Sequence, residues 1–245
     1  LLFVLPLLGQ ASVIELSAPP ESRSYIDMTI SVLARFGVKV AWQSDTRLCV
    51  PGSQAYLAAD MSIDGDASGA AFFHALGVIR AQNSVDVVCP VSEDIKQGDA
   101  ICPELLATMT AATPGDLSVI SLADCPDLGP ILFALAAMKN GATFNGTDRL
   151  KAKESDRGMA MHEELKKLGG GLTFGDNTII VPKQTLQYKG IILDGHNDHR
   201  IVMAASIAAL RCREPVIITG AEAVNKSYPT FFDDYNKIGG KSNEV

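Results

Sequence analysis

Residues 198–211 read DHRIVMAASIAALR, a polar start followed by a run of alanines and branched apolar residues. A helix that carries so little charge is apolar on every face, so it cannot lie at the surface and must be buried. A β-branched run, 216–219, follows it along the chain and is typical of a strand. We therefore expect a helix buried beneath a sheet that faces solvent.

The same unit of an aspartate, a small-residue apolar helix and a β-branched strand recurs along the chain. Its copies begin at Asp66, Asp127 and Asp198, and the first two lead to predicted strands at 85–88 and 142–144. Units of this length are typical of repeated α/β subdomains rather than of solenoid repeats. The prediction is an α+β fold of repeated subdomains with buried helices and outer sheets. An aspartate at a helix start also caps free backbone N–H groups, and for these residues capping competes with a role in a site.

Hydrophobic periodicity predicts the elements between these units. The further predicted strands are 12–16, 38–42, 47–50, 171–174 and 178–181, and the further predicted helices are 25–36, 98–110 and 157–168. The character of the chain changes near Asp64. We therefore expect one lobe to comprise 1–63 and another to comprise 64–245.

Composition excludes two classes of protein. The chain of 245 residues has 21 Lys and Arg against 28 Asp and Glu, a formal net charge of −7. Nucleic-acid binding needs a broad excess of cations, so an interaction of this chain with nucleic acid is not expected. The longest strongly apolar run, 1–8, is far shorter than the roughly 20 residues of a membrane-spanning helix, so no membrane association is expected either.

The cysteines and the start of the chain indicate the cellular setting. The five cysteines are widely spaced and form no CxxC pair, so neither a disulfide framework nor a zinc site is predicted. Isolated cysteines are typical of small buried groups in a reducing cytoplasm. The chain starts without methionine, in an apolar run that lacks the features of a secretion signal, and we expect it to be a fragment or an excised domain.

The densest charge lies in 148–157, DRLKAKESDR, which directly precedes the predicted helix at 157. Cations at a helix start oppose the helix dipole, and an anionic ligand would offset them because a helix N-terminus also offers free N–H groups. The alternative is a solvated charged loop. The residue types therefore leave an anion site and a charged surface both open.

Two other cationic stretches are HNDHR, 196–200, and AVNKSYP, 223–229. Arg200 opens a buried helix, so it needs a carboxylate or a ligand anion beside it. The alternative is that Asp198 caps the helix and pairs with Arg200. Lys226 is either a solvated loop lysine or a third cation of the same site, and no suitably spaced His or Cys supports a metal site at His199.

These stretches resemble the signature of the 5-enolpyruvylshikimate-3-phosphate synthase family. The resemblance implies an enolpyruvate transferase fold of repeated βαβαββ subdomains in two lobes, with no cofactor and no metal. It implies transfer of the enolpyruvyl group of phosphoenolpyruvate to the 5-hydroxyl of shikimate 3-phosphate, with release of phosphate, in cytoplasmic synthesis of the aromatic amino acids. The motifs that carry it are KESDR (153–157), NDHR (197–200), NKSYP (225–229), ESRSYID (21–27), DGDAS (64–68) and CPD (125–127).

The resemblance also implies roles for single residues. Asp127 resembles the base on the attacking hydroxyl, Glu154 the carboxyl that transfers a proton at the methylene carbon, and Lys226 the cation at the leaving phosphate. Substrate-binding roles are implied for Ser22, Tyr25, Lys153, Arg157, Asp198, His199 and Arg200.

Two other functions are kept as alternatives. The sister enolpyruvyl transferase that acts on UDP-N-acetylglucosamine shares the implied architecture but lacks the combination of KESDR and NDHR. A non-catalytic scaffold or binding module would not require the charged residues that are present. The resemblance places the family's earlier N-terminal segment before Leu1, so that segment is an expected partner and the chain alone is expected to be inactive or nearly so.

Overall fold

The computed structural model describes residues 1–80, 85–92, 97–112, 117–184, 186 and 191–244. The chain divides into two compact units, Leu1–Gly65 with Cys89–Ala100 and Asp66–Val88 with Ile101–Val245. The lobe boundary near Asp64 stays a prediction. The assignment of 89–100 to the first unit was not anticipated from the sequence.

The first unit is a small sheet with one long helix. Its antiparallel strands have the order β1-β3-β2, and helix α1 begins directly after Ser22. Alternating burial along β3 places Leu48 and Val50 in a core that they share with Leu33 of α1. The elements are β1 (Ser12–Glu15), α1 (Arg23–Arg35), β2 (Ala41–Ser44) and β3 (Arg47–Val50).

The second unit packs apolar helices against two sheets, among the residues described. One sheet has the order β4-β5-β7-β6, with β4 parallel to β5 and the other pairs antiparallel; the other sheet pairs β8 with β9 in parallel. The strands are β4 (Ser118–Ser121), β5 (Gly141–Asn145), β6 (Thr173–Gly175), β7 (Thr178–Pro182), β8 (Ile192–Asp194) and β9 (Ile217–Thr219). The helices are α2 (Ala67–Arg80), α3 (Cys102–Ala111), α4 (Gly129–Met138), α5 (Arg157–Lys167), α6 (His199–Ala209) and α7 (Phe231–Lys237).

Helices α4 and α6 form the centre of this unit and pack against each other. Every residue of α4 except Met138 is buried, and so is every residue of α6 except Ala209. Their alanines leave room for close helix packing, while Phe133 of α4 meets Phe144 of β5 edge to face at 4.8 Å. The outer faces of the sheets are exposed, as at Val119. The predicted arrangement of buried helices and outer sheets is confirmed.

Short 3₁₀ turns precede helices α4 and α5, Pro126–Leu128 before α4 and Asp148–Ala152 shortly before α5. Three aspartates cap helices here: Asp66 accepts from the backbone N–H of Gly69 (3.0 Å), Asp156 from that of Met159 (3.1 Å) and Asp198 from that of Arg200 (2.9 Å). These local bonds fix where each helix begins. The charged side chains just before each helix therefore lie at its N-terminus. Asp127, the second of the repeated aspartates, makes no such cap.

Strand prediction was less accurate than helix prediction. Residues 85–88 were expected to form a strand but have no regular structure, and Val88 is almost fully exposed. A β-branched run becomes a strand only where another backbone pairs with it. Strands β4 and β8 were not predicted, and each is held by parallel pairing with a strand distant in sequence, β5 and β9. Among the described helices, none combines the length and the apolarity needed to cross a bilayer.

Candidate active site

Arg157, the first residue of α5, is the centre of a buried charge cluster. Its side chain is 1% exposed and donates to three carboxylates: Nη1 to Asp127 Oδ1 (2.6 Å), Nη2 to Glu154 Oε2 (2.6 Å) and Nε to Asp198 Oδ2 (2.8 Å). A buried guanidinium would be strongly destabilising without such partners. The cation that opposes the dipole of α5 is therefore offset by carboxylates from three segments of the chain.

Asp127, in the turn before α4, is shared by several cations. Its Oδ1 accepts from Arg157 and lies 2.9 Å from Lys153 Nζ, while its Oδ2 lies 3.2 Å from Arg200 Nη2. Burial by itself would raise the pKa of Asp127, but the charges of Arg200, Arg157 and Lys153 outweigh it and lower the pKa to about 2. Asp127 is thus ionised at neutral pH and holds the cations of two separate motifs together.

Asp198 is fully buried and has two functions in the fold. It caps α6, as the sequence suggested, and it accepts from Arg157 and from Ser155 Oγ (3.0 Å). The alternative that it pairs with the side chain of Arg200 is wrong, because the Arg200 guanidinium extends to Asp127 instead. Burial opposes ionisation of Asp198, but the hydrogen bond and charge of Arg157 lower its pKa overall.

Arg200 and His199 carry unsatisfied buried atoms. Within the described part of the chain, Arg200 Nε and His199 Nδ1 are buried without a hydrogen-bond partner. Burial, followed by the charge of Arg200, lowers the pKa of His199, so its imidazole is neutral at neutral pH. Buried polar atoms are nearly always paired in folded proteins, so Arg200 Nε is available to donate a hydrogen bond to a ligand, and His199 Nδ1 to donate or accept one according to its tautomer.

Lys226 joins the same region from the turn between β9 and α7. Its Nζ donates to the backbone carbonyl of Asn197 and to Asn197 Oδ1 (2.8 Å). Both acceptors are uncharged, so they leave the positive charge of Lys226 uncancelled. Asn197 directly precedes Asp198, so the three cationic stretches of the sequence meet here.

The cluster contains three carboxylates and, with Lys226, four cations. Asp127, Glu154 and Asp198 face Lys153, Arg157 and Arg200, and Lys226 adds one further cation nearby. Glu154 is the most accessible of the three carboxylates, with 40% of its side chain exposed. The arrangement suits a multiply anionic ligand beside an accessible carboxyl group.

The other two predicted site residues belong to the first unit. Ser22 is buried at the start of α1, with a left-handed φ of 55°. Tyr25 lies in the first turn of α1, and its hydroxyl donates to Asp99 Oδ2 (3.2 Å). Their roles as substrate ligands stay predictions.

Acidic and histidine side chains on α5 and in the loop before α6 form a group that was not predicted from the sequence. Ligand atoms of Glu163, Glu164 and His196 lie within 4.8 Å of one another, the spacing of a metal site. Glu164 already accepts from the ammonium of Lys167 and the backbone N–H of Asp194, and an ion would have to displace that ammonium. These residues therefore fit a structural hydrogen-bond network better than a metal. The only sequence signal was the spacing of Glu164, two helical turns after Arg157 and on the same face of α5.

The low pKa of Asp127 predicts a loss of stability in acid. The carboxyl titrates near 3.8 when unfolded and near 2 when folded, so between these values the unfolded chain binds more protons. The stabilisation, about 2 kcal/mol, is therefore complete above about pH 5 and lost as the pH falls towards 2. We expect urea unfolding followed across this range to show the loss, and Asp127→Asn to abolish this contribution.

Asp124→Asn is the matched control, since Asp124 is exposed and lies three residues away. This variant should retain the acid dependence of the unmodified chain. An Asp127→Asn variant that still lost stability to the same extent would show that Asp127 is not held by these cations.

Comparison with known proteins gives a consistent result. A family model described as EPSP synthase (3-phosphoshikimate 1-carboxyvinyltransferase) matches residues 1–235. The chain is 37% identical, over 259 residues, to the 3-phosphoshikimate 1-carboxyvinyltransferase of Clostridium kluyveri, and 38% identical, over 255 residues, to that of Clostridium acetobutylicum. In both cases the match covers 100% of this chain and 59% of the relative, so the chain spans little more than half the length of these proteins.

Solved structures with the same fold include EPSP synthase from Acinetobacter baumannii, with a TM-score of 0.76 at 24% identity over 98% of this chain and 59% of that one. The enolpyruvyl transferase NikO from Streptomyces tendae gives a TM-score of 0.69 at 14% identity, over 98% of this chain and 58% of that one. These likenesses confirm the predicted enolpyruvate transferase fold. The residues that the family model matches include the whole charge cluster and nearly all of both units. The chain therefore belongs to the EPSP synthase family.

Proposed function

We propose that this chain is the part of an enzyme that binds phosphoenolpyruvate and shikimate 3-phosphate and transfers the enolpyruvyl group between them, releasing phosphate. The observation that carries the proposal is the buried pair Arg157 and Arg200, which share Asp127 beside the accessible Glu154. Membership of the family and the names of the relatives support this reaction.

The cations are suited to anionic substrates. Both proposed substrates carry a phosphate and a carboxylate, and guanidinium groups bind such groups with two parallel hydrogen bonds. Arg157 and Arg200 are assigned to phosphoenolpyruvate, with Arg200 Nε as a donor that no described residue engages. Lys153 is assigned to shikimate 3-phosphate, and Asp198 and His199 to the wall that holds Arg157 and Arg200 in place.

The acid–base steps fall to three residues. During addition, the 5-hydroxyl oxygen bonds to the central carbon of phosphoenolpyruvate as Asp127 takes the hydroxyl proton, and Glu154 delivers a proton to the methylene carbon. During elimination, a proton returns from that carbon to Glu154 and phosphate departs towards Lys226. Cations placed where negative charge develops stabilise such a step most.

The ion pairs of Asp127 also indicate how this residue gains base strength. A carboxylate with a pKa of about 2 is a weak base, and it is held there by cations that the substrates also need. A bound phosphate or carboxylate competes for Arg157, Arg200 and Lys153 and weakens their pull on Asp127. Substrate binding is thus expected to raise the pKa of Asp127 towards the range of a useful base.

Calorimetry of the chain with each substrate tests the proposal. We expect weak, saturable binding of phosphoenolpyruvate, lost in Arg200→Ala because the variant lacks half of the guanidinium pair. Arg211→Ala is the matched control, since Arg211 lies exposed just beyond the end of the same helix, and it should bind as the unmodified chain does. The same titrations and a phosphate-release assay on the full-length protein complete the experiment.

Three results would contradict the proposal. Binding of UDP-N-acetylglucosamine in place of shikimate 3-phosphate would favour the sister transferase. If neither the chain nor the full-length protein bound any of these three ligands, a non-catalytic module would be favoured. If Arg200→Ala bound phosphoenolpyruvate as tightly as the unmodified chain does, the charge cluster would not be the binding site.

A further inference from the structure

The loop between β8 and α6, residues 195–198, has a backbone that needs outside support. His196 and Asn197 both have a φ of 50°, in the left-handed region that side chains other than glycine seldom adopt. Gly195 admits no side chain, because a Cβ there would lie 2.8 Å from the carbonyl oxygen of Thr219. Consecutive residues in this conformation persist only where their surroundings hold them.

Helix α5 holds this loop at both ends. Arg157, in the first turn, bonds Asp198 at the end of the loop. Two turns further on, Glu164 Oε2 accepts from the backbone N–H of Asp194 (2.9 Å), and Glu164 Oε1 lies 2.8 Å from His196 Nε2. One face of α5 therefore contacts the residue before the loop, its second residue and its last.

Glu164 serves this purpose without contributing to the charge cluster itself. Its side chain is 3% exposed, and Lys167 Nζ lies 2.8 and 2.9 Å from its two oxygens. Its oxygens are thus occupied by Lys167, Asp194 and His196. A buried carboxylate with a full set of donors is a rigid support rather than a reacting group.

The loop in turn orients Lys226. Asn197 provides both acceptors of the Lys226 ammonium, the backbone carbonyl and Oδ1, and the left-handed backbone at 196 and 197 sets where these oxygens lie. We propose that Glu164 and His196 are positioning residues, whose hydrogen bond holds the 195–198 loop so that Asn197 orients Lys226. The inference rests on the proposed function of Lys226 and extends it to two residues outside the cluster.

His196→Asn in the full-length protein is the main test. Asparagine tolerates a left-handed backbone, but its side chain is too short to keep the bond to Glu164. We expect amide hydrogen exchange in 194–198 to accelerate by about tenfold. Turnover should fall by about tenfold, with the KM for shikimate 3-phosphate changed less than about twofold, because a displaced Lys226 affects the chemical step.

The matched control is Glu163→Gln. Glu163 is the exposed neighbour of Glu164, with Oε2 3.9 Å from His196 Nε2, and the change leaves the Glu164–His196 bond intact. Exchange and turnover should equal those of the unmodified protein. If Glu163→Gln accelerates exchange as much as His196→Asn, the assignment to Glu164 is overturned.

A double-mutant cycle with Lys226→Ala separates positioning from mere stability. If His196 acts through Lys226, then Lys226→Ala should lower turnover much less in the His196→Asn background than in the unmodified protein. Additive losses would overturn the proposal, as would unchanged exchange in 194–198. If the unmodified full-length protein did not transfer an enolpyruvyl group, the proposed function would be refuted instead. The exchange measurement would still decide whether Glu164 and His196 hold the loop.

If His196→Asn does not fold, a second pair of variants tests the same proposal. Glu164→Gln keeps an acceptor for Asp194 and can still hydrogen-bond the imidazole, whereas Glu164→Ala loses both contacts. Slow exchange in Glu164→Gln with fast exchange in Glu164→Ala supports the proposal. Equal exchange rates in the two variants contradict it.

Discussion

Glu154→Gln in the full-length protein is expected to lower turnover by about 10²- to 10⁴-fold and to leave the binding of both substrates nearly unchanged. Glutamine has the shape of glutamate and keeps an oxygen that can accept from Arg157, but it cannot transfer a proton. Arg157 also retains Asp127 and Asp198 as partners, so the anion-binding groups stay in place. The loss therefore falls on the chemical step.

Single-turnover kinetics together with calorimetry measures this prediction. Glu163→Gln serves as its control, because it removes the same charge from an exposed position and should be silent. A collapse of binding with the chemical rate preserved would assign Glu154 to substrate binding rather than to proton transfer.

Arg157→Met is expected to lower the free energy of unfolding by about 3–5 kcal/mol at neutral pH. Methionine replaces much of the side-chain volume but none of the charge, so Asp198 is left buried without its guanidinium and Glu154 and Asp127 each lose a close cation. Urea unfolding of the chain measures the loss. Lys166→Met, an exposed change on the same helix, should alter stability by less than about 1 kcal/mol.

The pH dependence of this loss identifies its cause. In the unmodified chain Arg157 helps to hold the pKa values of Asp127 and Asp198 down, so in Arg157→Met both carboxyl groups are protonated more readily. The difference between variant and unmodified chain should shrink as the pH falls below about 4. A difference that stayed constant down to about pH 2 would indicate lost packing rather than uncompensated charge.

Helices were predicted well because their signals are local. The expected helix at 157–168 occurs as Arg157–Lys167, since the apolar spacing that predicts it lies within the segment itself. The predicted strand at 85–88 does not occur among the described residues, and β4 was not foreseen. A strand depends on a partner that can lie anywhere in the chain, and β4 finds its partner in β5.

The sequence predicted which types of residue form the candidate site, but not which carboxylate pairs with which cation. The residue types left open whether the three cationic stretches form one anion site or a charged surface, and the second unit brings their side chains together. The partners were not foreseen: Asp198 bonds Arg157, Arg200 reaches Asp127, and Lys226 rests on Asn197. Nothing in the order of residues tells which of several carboxylates meets which cation.

The sequence alone therefore determined the buried helices, the caps at Asp66 and Asp198 and the need of Arg200 for a neighbouring anion, because burial and charge balance follow from composition and local spacing. The tertiary structure decided which carboxylate meets each cation and how α5 supports the left-handed loop at 196 and 197. These depend on contacts between segments that are distant in the chain, where distance and orientation, rather than residue type, set the strength of each interaction.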